Sequence, residues 1–224
     1  MSPVLVLRPQ PGADVTAQRL REAGLEPIIY PLFEVEPISW QVPELREFHA
    51  LMITSANAAR WAREALQHFA GLPTFAVGAA TASALRERGF TDIHAGIADA
   101  GALVGEIQSA GYKNILHLCG EHVRHVDRGS LNIRRIAVYR TKDAGDAEGL
   151  YAVLERDPVI MVHSPRAGAR LAELLPLSRR DGRNVITISR AAADACGRGW
   201  ARLTASDTPS DAAMLAILRR ICEI

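Results

Sequence analysis

The residues best suited to chemistry in this chain stand where apolar runs give way to helical patterns. They are Ser55-Ala56-Asn57, Gly78-Ala79-Ala80-Thr81, Ser164-Pro165-Arg166, Ser189-Arg190 and Ser206-Asp207-Thr208-Pro209-Ser210. Ser, Thr and Asn supply hydroxyl and amide donors. Gly and Ala let a ligand approach the backbone, and the first N–H groups of a helix lack partners and favour anions. Several such ends on facing walls suit a ligand with many carboxylates or phosphates. Arg8, Arg60, Arg63, Arg140, Arg166 and Arg190 add positive charge, and several sit near those ends. Each end alone reads first as a plain helix cap, because the same residue types are the preferred N-caps. A single arginine reads equally as a solvated surface charge.

Other chemistries find less support. "HLCGEHVRH" places His117, Cys119, His122 and His125 close together. Structural zinc sites use paired Cys or His at matched spacings, and no second half occurs in the chain. No metal is expected. His122, Arg124 and His125 read instead as a basic rim. There is no G-x-S-x-G elbow, no P-loop and no G-x-G-x-x-G after a strand. The strand ends offer few carboxylates apart from Asp99 and Asp207, which argues against a Mg²⁺-dependent phosphosugar or nucleotide enzyme. Arg8-Pro9 follows the first strand where a receiver-like signalling domain would carry acids. Tyr139, on the second crossing, is the one further candidate, as a side chain facing a cleft; the more ordinary alternative is a half-buried strand tyrosine.

The elements that must position these residues follow from periodicity. Short β-branched runs at 4–7, 27–31, 50–53, 74–77, 93–95, 115–118, 133–139, 159–162, 185–188 and 201–204 predict strands. Amphipathic stretches at 14–23, 58–69, 79–88, 100–110, 147–155, 167–175, 191–197 and 211–221 predict helices. The alternation predicts α/β architecture, with parallel sheets flanked by helices. The chain also repeats itself. "MITSANAARWAREAL" is echoed by "MVHSPRAGARLAELL", with Ser55 and Ser164 lying 109 residues apart. "FAVGAATASALRERGF" is echoed by "ITISRAAADACGRGWA", and "VLVLRP" by "ILHLCG", both 111 residues apart. Echoes in one order at a near-constant offset predict two copies of one α/β unit. Extended, polar crossings at 31–45 and 134–149 suggest that the chain leaves one unit near residue 37 and returns near residue 140.

The bulk composition sets limits. The 224 residues are 48% hydrophobic and 23% charged, with a net charge of +1. That balance favours neither nucleic acid nor a membrane surface as partner. No apolar run approaches the ~20 residues that span a bilayer, and the N-terminus reads as a first strand rather than a signal peptide. Cys119, Cys196 and Cys222 are few, odd in number and far apart, as suits a reducing compartment. A cytoplasmic location is expected.

Taken in order, "VLVLRP", "PLFEVEP", "ITSANA", "FAVGAATASAL", "LHLCGEHVR", "IAVYRT", "VHSPRAG", "ISRAAADA" and "TPSDAAMLAIL" make the chain similar to the uroporphyrinogen-III synthase family over nearly its whole length. The resemblance implies two flavodoxin-like domains joined by a two-stranded β connector. Here these would be 1–36 with 141–224, and 40–135, with the connector at 34–39 and 136–142. It implies a monomeric, cofactor-free enzyme. That enzyme converts hydroxymethylbilane to uroporphyrinogen III, with loss of water and inversion of the last pyrrole. Its partner would be the tetrapyrrole substrate alone, with no nucleic acid and no membrane. Tyr139 matches the connector tyrosine proposed to aid hydroxyl departure. Ser55, Thr81, Ser164, Ser189 and Thr208 match positions lining the cleft, and Arg8, Asn57 and Arg190 join them as candidate substrate-binding residues. The second repeat departs from the family in "ISRAAAD", where many members have a Gly-Pro-Ala-Thr-like turn. Ser189 and Arg190 therefore replace small or rigid residues, and Arg190 becomes, with Lys142, a candidate carboxylate ligand. The alternative is a non-catalytic two-domain binder of a polyanionic small molecule.

Overall fold

The computed structural model describes residues 3–96, 100–123 and 126–221. In chain order its elements begin β1 (Val4–Val6), α1 (Gly12–Glu22), β2 (Pro27–Ile29), β3 (Phe33–Pro37), β4 (Ala50–Ile53), α2 (Ala56–Trp61) and β5 (Thr74–Val77). There follow α3 (Ala79–Arg86), β6 (Ile93–Gly96), α4 (Ala100–Ser109), β7 (Asn114–Gly120), β8 (Asn132–Asp143) and α5 (Ala147–Leu154). The chain ends with β9 (Val159–Val162), α6 (Pro165–Leu174), β10 (Asn184–Thr187), α7 (Arg190–Cys196), β11 (Arg202–Ala205) and α8 (Asp211–Ile221). Contacts divide it into two units, Met1–Glu34 with Lys142–Ile224, and Val35–Thr141.

The first unit holds a parallel sheet in the order β11-β10-β9-β1-β2. Strand alternation sorts its side chains to the two faces. Val4 and Val6 pack with Ala13 and Leu20 of α1 and Met214 and Leu218 of α8. Leu5 and Leu7 pack with Leu150 of α5, Leu171 of α6 and Ala192 of α7. Both faces are covered, so the strands read as continuous apolar runs.

The second unit orders its strands β3-β8-β7-β4-β5-β6. β8, β7, β4, β5 and β6 are parallel neighbours. Leu51, Ile53, Leu116 and Leu118 face Ala58 of α2 and Leu85 of α3. Met52, Phe75 and Ile115 face Leu103 and Ile107 of α4. Leaving β3 aside, this order matches the first unit strand for strand, β6-β5-β4-β7-β8 against β11-β10-β9-β1-β2. The echoed segments "VLVLRP" and "ILHLCG" occupy the matching strands β1 and β7. In the first unit this is the flavodoxin-type order 2-1-3-4-5; the second unit has the same spatial arrangement with β4, β5 and β6 made before β7 and β8.

One segment differs from the sequence reading. The helix expected over 58–69 stops at Trp61, and a 3-10 turn follows over Arg63–Phe69, with Arg63 left-handed at φ 54°. Leu66 and Phe69, three residues apart, are both fully buried. A three-residue turn brings such a pair to one side, which 3.6 residues per turn does less well. The stretch after Pro31 carries a strand, β3. β3 hydrogen-bonds along β8 at the sheet edge. The Ile38 N–H donates to the Val138 carbonyl at 3.0 Å and the Ala144 N–H to the Leu32 carbonyl at 2.9 Å, which sets the two strands antiparallel. Arg140 with Glu36 (2.6 Å) and Lys142 with Glu34 (3.4 Å) form opposite-charge pairs across them.

Among the described residues no helix is long and apolar enough to cross a membrane.

Candidate functional site

In a doubly wound sheet the crevice for a ligand opens beyond the strand carboxyl ends, where the strand order reverses. In the second unit that point lies between β4 and β7. A pocket of about 400 Å³ is found there, lined by Thr54, Ser55, His117, Gly120, His122 and Tyr139. Thr54 and Ser55 arrive directly at the end of β4. The Thr54 Oγ1 lies 3.0 Å from His117 Nε2 in a hydrogen bond. His117 is only 2% exposed. Burial, and secondarily the charge of Arg135, push its pKa down to about 4, so its ring is neutral at pH 7.

This has a consequence for stability. An unfolded histidine takes up a proton near its ordinary value of 6.5, whereas folded His117 does so only near 4. Its contribution is therefore intact above pH 6.5 and is lost as the pH falls toward 4, by about 3 kcal/mol in all at about 1.4 kcal/mol per unit. Urea unfolding at pH 7.0 and 4.5 should show the loss in the wild type. His117→Asn should show a much smaller difference, and an equal one would place the acid sensitivity elsewhere.

Tyr139 reaches the pocket through an irregularity in the pairing of β7 with β8. Cys119 pairs with Ala137, but the next residue, Gly120, pairs with Tyr139, leaving Val138 as an extra residue on β8. Such a bulge re-aims the side chains that follow it. Val138 and Tyr139 both pack on the side of the sheet that carries α2 and α3, where strict alternation would have sent them to opposite faces. The Tyr139 carbonyl accepts from the Glu121 N–H at 2.9 Å, which holds the strand end in place.

The other candidate residues fall into two groups. Ser55, Ser164 and Ser189 are N-caps, each accepting a backbone N–H through its hydroxyl oxygen, from Asn57 (3.2 Å), Ala167 (3.1 Å) and Ala192 (3.3 Å). A capping serine uses a lone pair, so its O–H remains a donor. Capping and ligand binding are therefore compatible in one residue. α2 and α7 have only 6 and 7 residues, so these ends offer hydroxyls more than an aligned dipole. Asn57 lies in the first turn of α2 and gives its N–H to Ser55. Gly78 caps α3 at φ 77°, a conformation suited to glycine. Thr81 is 3% exposed, so a ligand at that end meets the exposed Ala79 and Ala80 before the Thr81 hydroxyl. Arg190 is 86% exposed and pairs with Asp194 at 3.0 Å. Thr208 is exposed and its carbonyl accepts from the Ser210 N–H at 2.8 Å and from the Ser206 hydroxyl.

Arg8 sits at the corresponding reversal point of the first unit, between β1 and β9, and there it is engaged. Its Nη1 lies 3.3 Å from Asp211 Oδ1 and donates to Thr16 Oγ1 at 3.2 Å. Asp211 also accepts from Thr16 (2.8 Å) and Arg19 (3.0 Å), and His163 Nε2 approaches it to 3.4 Å. Burial alone would raise the Asp211 pKa. His163, then Thr16 and Arg8, outweigh that and hold it well below the ordinary carboxylate range. Burial pushes the His163 pKa down, which keeps that ring neutral. Asp211, His163, Thr16 and Arg19 were not singled out in the sequence. The available signals were an Asp opening α8 and a His standing at the end of an apolar strand.

The remaining candidates are dispersed. Cys119 and Cys196 are buried free thiols whose pKa values burial raises, the second to about 11. His122 is 79% exposed, near Glu121. Arg166 pairs with Asp143 at 3.1 Å and lies over the Phe33 ring, and Arg60 gives its carbonyl to Arg88. Asp99, Arg124, His125 and Cys222 lie outside the described residues. Among the described residues no group of three or more His, Cys, Asp or Glu is placed to hold a metal.

The class these features define is a duplicated, doubly wound α/β protein that presents hydroxyl-bearing side chains and a phenol at strand carboxyl ends. The model of the family described as uroporphyrinogen-III synthase HemD matches residues 14–216. The chain belongs to that family, and with it to tetrapyrrole biosynthesis. It is 29% identical over 183 residues to a uroporphyrinogen-III synthase of Chlorobaculum parvum, covering 77% of this chain and 71% of that one. Its fold is similar to the uroporphyrinogen-III synthetase of Helicobacter pylori, with a TM-score of 0.70 at 15% identity over 99% of this chain and 100% of that one. It is also similar to a mutant uroporphyrinogen III synthase of Thermus thermophilus, with a TM-score of 0.56 at 18% identity over 99% of each chain. The resemblance read in the sequence is thus borne out, as is the α/β fold with two largely parallel, helix-flanked sheets.

Proposed function

We propose that the chain closes linear hydroxymethylbilane to uroporphyrinogen III, with Tyr139 as the proton donor to the departing hydroxyl. The observation that carries this reading is the phenol of Tyr139 on the pocket at the strand-order reversal of the second unit, beside Ser55 and Thr54. The C–O bond of the terminal hydroxymethyl group breaks as the phenol proton passes to its oxygen, releasing water. Electrons from the adjoining pyrrole nitrogen replace those that leave, giving an azafulvene. The substituted α-carbon of the last pyrrole attacks the azafulvene methylene to give a spiro centre. The bond from that carbon to the bridging methylene of the third pyrrole then breaks, leaving an azafulvene there. The free α-carbon of the inverted ring attacks that methylene and gives up its hydrogen as a proton. A proton lost on rearomatisation restores the phenol.

The eight carboxylates of the substrate suit many neutral donors. Ser55, Asn57, Thr81, Ser164, Ser189 and Thr208 are proposed as such donors, with Arg190 supplying charge and Arg8 offering the N–H groups that its pairing with Asp211 and Thr16 leaves over. Holding the reacting ring ends near each other lowers the entropic cost of ring closure. The same reading takes 1–36 with 141–224, and 40–135, as the two domains, with 34–39 and 136–142 as the connector. It makes the protein a cytoplasmic monomer that needs no cofactor. The buried, unpaired thiols of Cys119 and Cys196 are in keeping with a reducing compartment.

An assay with enzymatically generated hydroxymethylbilane, separating type III from type I product, tests the reading. The type III isomer should dominate. Type I alone, the spontaneous product, would leave the chain a binder of polyanionic tetrapyrroles and not a synthase.

A further inference from the structure

The bulge that aims Tyr139 places its ring directly over Gly120. A methyl group built on Gly120 would stand 2.7 Å from Tyr139 Cζ, 2.9 Å from its hydroxyl oxygen and 3.0 Å from Cε2. Those distances are well inside van der Waals contact, and they fall at the functional end of the ring. Backbone conformation does not demand glycine here, for Gly120 is not among the glycines with positive φ. The residue closes β7, pairs directly with Tyr139 and lines the same pocket. What requires a missing side chain at 120 is therefore the phenol.

We propose that Gly120 is a positioning residue for the reaction. Its bare Cα is the surface on which the Tyr139 ring rests, and that surface sets where the phenolic O–H points. The inference rests on the role given to Tyr139 above, but it concerns a different atom and can fail separately. Alanine at 120 must push the ring off the strand end. The neighbouring partners do not yield easily, since β8 is fixed on that side by the Glu121 N–H bond to the Tyr139 carbonyl.

The test is Gly120→Ala, made alone and in a Tyr139→Phe background, with product formation followed alongside the NMR signal of ¹³C-labelled tyrosine. Tyr139→Phe identifies the Tyr139 resonance by its loss. In the folded single variant that resonance should shift, and kcat should fall by about tenfold or more with KM changed by less than threefold. In the Tyr139→Phe background, Gly120→Ala should have little further effect on kcat, because the group being misplaced is already gone. If Tyr139→Phe is fully active the catalytic role of Tyr139 falls, yet the resonance still decides whether Gly120 places the ring. An unmoved Tyr139 resonance in a folded Gly120→Ala protein would overturn the proposal, as would an equal loss of kcat in both backgrounds. Should Gly120→Ala alone fail to fold, Gly120→Ala with Tyr139→Ala must restore folding by removing the clashing ring. Failure of that rescue overturns the proposal too.

Discussion

Tyr139→Phe should lower kcat by about 10²-fold, the usual contribution of one positioned general acid, while leaving the melting temperature within a few degrees of wild type. The substitution deletes one oxygen from a ring that keeps its contacts with the core under α2 and α3. Expected type III product should persist at the reduced rate, because the donors proposed to orient the substrate are untouched. A fall in kcat without a matching rise in KM would mark an interaction made in the transition state. Unchanged turnover would remove Tyr139 from the mechanism and leave water or a substrate carboxyl to protonate the departing hydroxyl.

The largest stability effect should come from Asp211→Ala. Asp211 accepts hydrogen bonds from Thr16 and Arg19 and closes on Arg8 and His163, with 4% of its side chain exposed. Removing it leaves the Thr16 hydroxyl without its acceptor and Arg8 facing Arg19 with no carboxylate between them. Breaking a buried ion pair from one side costs about 3–5 kcal/mol. Arg8 and Arg19 are 32% and 51% exposed and regain some water, so a value near 3 kcal/mol is expected. The sign with pH is definite. A carboxyl held below its ordinary range stabilises the fold above the ordinary value near 4 and loses that contribution as the pH falls further. The gap between wild type and Asp211→Ala, measured by urea unfolding, should therefore be wide at pH 7 and shrink toward pH 3. A gap that widens in acid would show that Asp211 is not an ionised acceptor.

The fold was largely legible because period-2 and period-3.6 patterns are local. Strands such as Ala50–Ile53, Thr74–Val77 and Val159–Val162 are bounded by the same residues in sequence and structure. The repeat was legible because both copies solve one packing problem with similar side chains. What was not legible depends on distant partners. Arg8 meets Asp211 across 203 residues of chain, so the sequence showed a cation at a strand end where the structure has an internal ion pair. The bulge opposite Gly120 adds one residue to one strand, and nothing in "AVYRT" announces it. The early end of α2 is similar in kind, since Leu66 and Phe69 fit either a continued helix or a tighter turn until their neighbours are known. Ser55, Ser164 and Ser189 were placed correctly as caps. Their further role turns on the ligand, which residue type alone does not specify.

The order in which the strands leave the ribosome does not match the order in which they pair. β1 lies between β2 and β9, yet Val4 meets Pro27 early and Val159 only after some 130 further residues have been made. At 5–20 residues per second, β1 keeps one edge unpaired for roughly 7–26 s of synthesis. The contiguous unit Val35–Thr141 has all its strands made by then, whereas β10 and β11 of the discontinuous unit are still to come. The middle of the polypeptide can therefore condense while the beginning waits as an open β-α-β fragment, an apolar strand edge available to chaperones or to another nascent chain. High contact order in the discontinuous unit makes its completion the slower event. The placement of one unit within the chain of the other thus turns an ordinary doubly wound sheet into one that a growing chain is obliged to finish last.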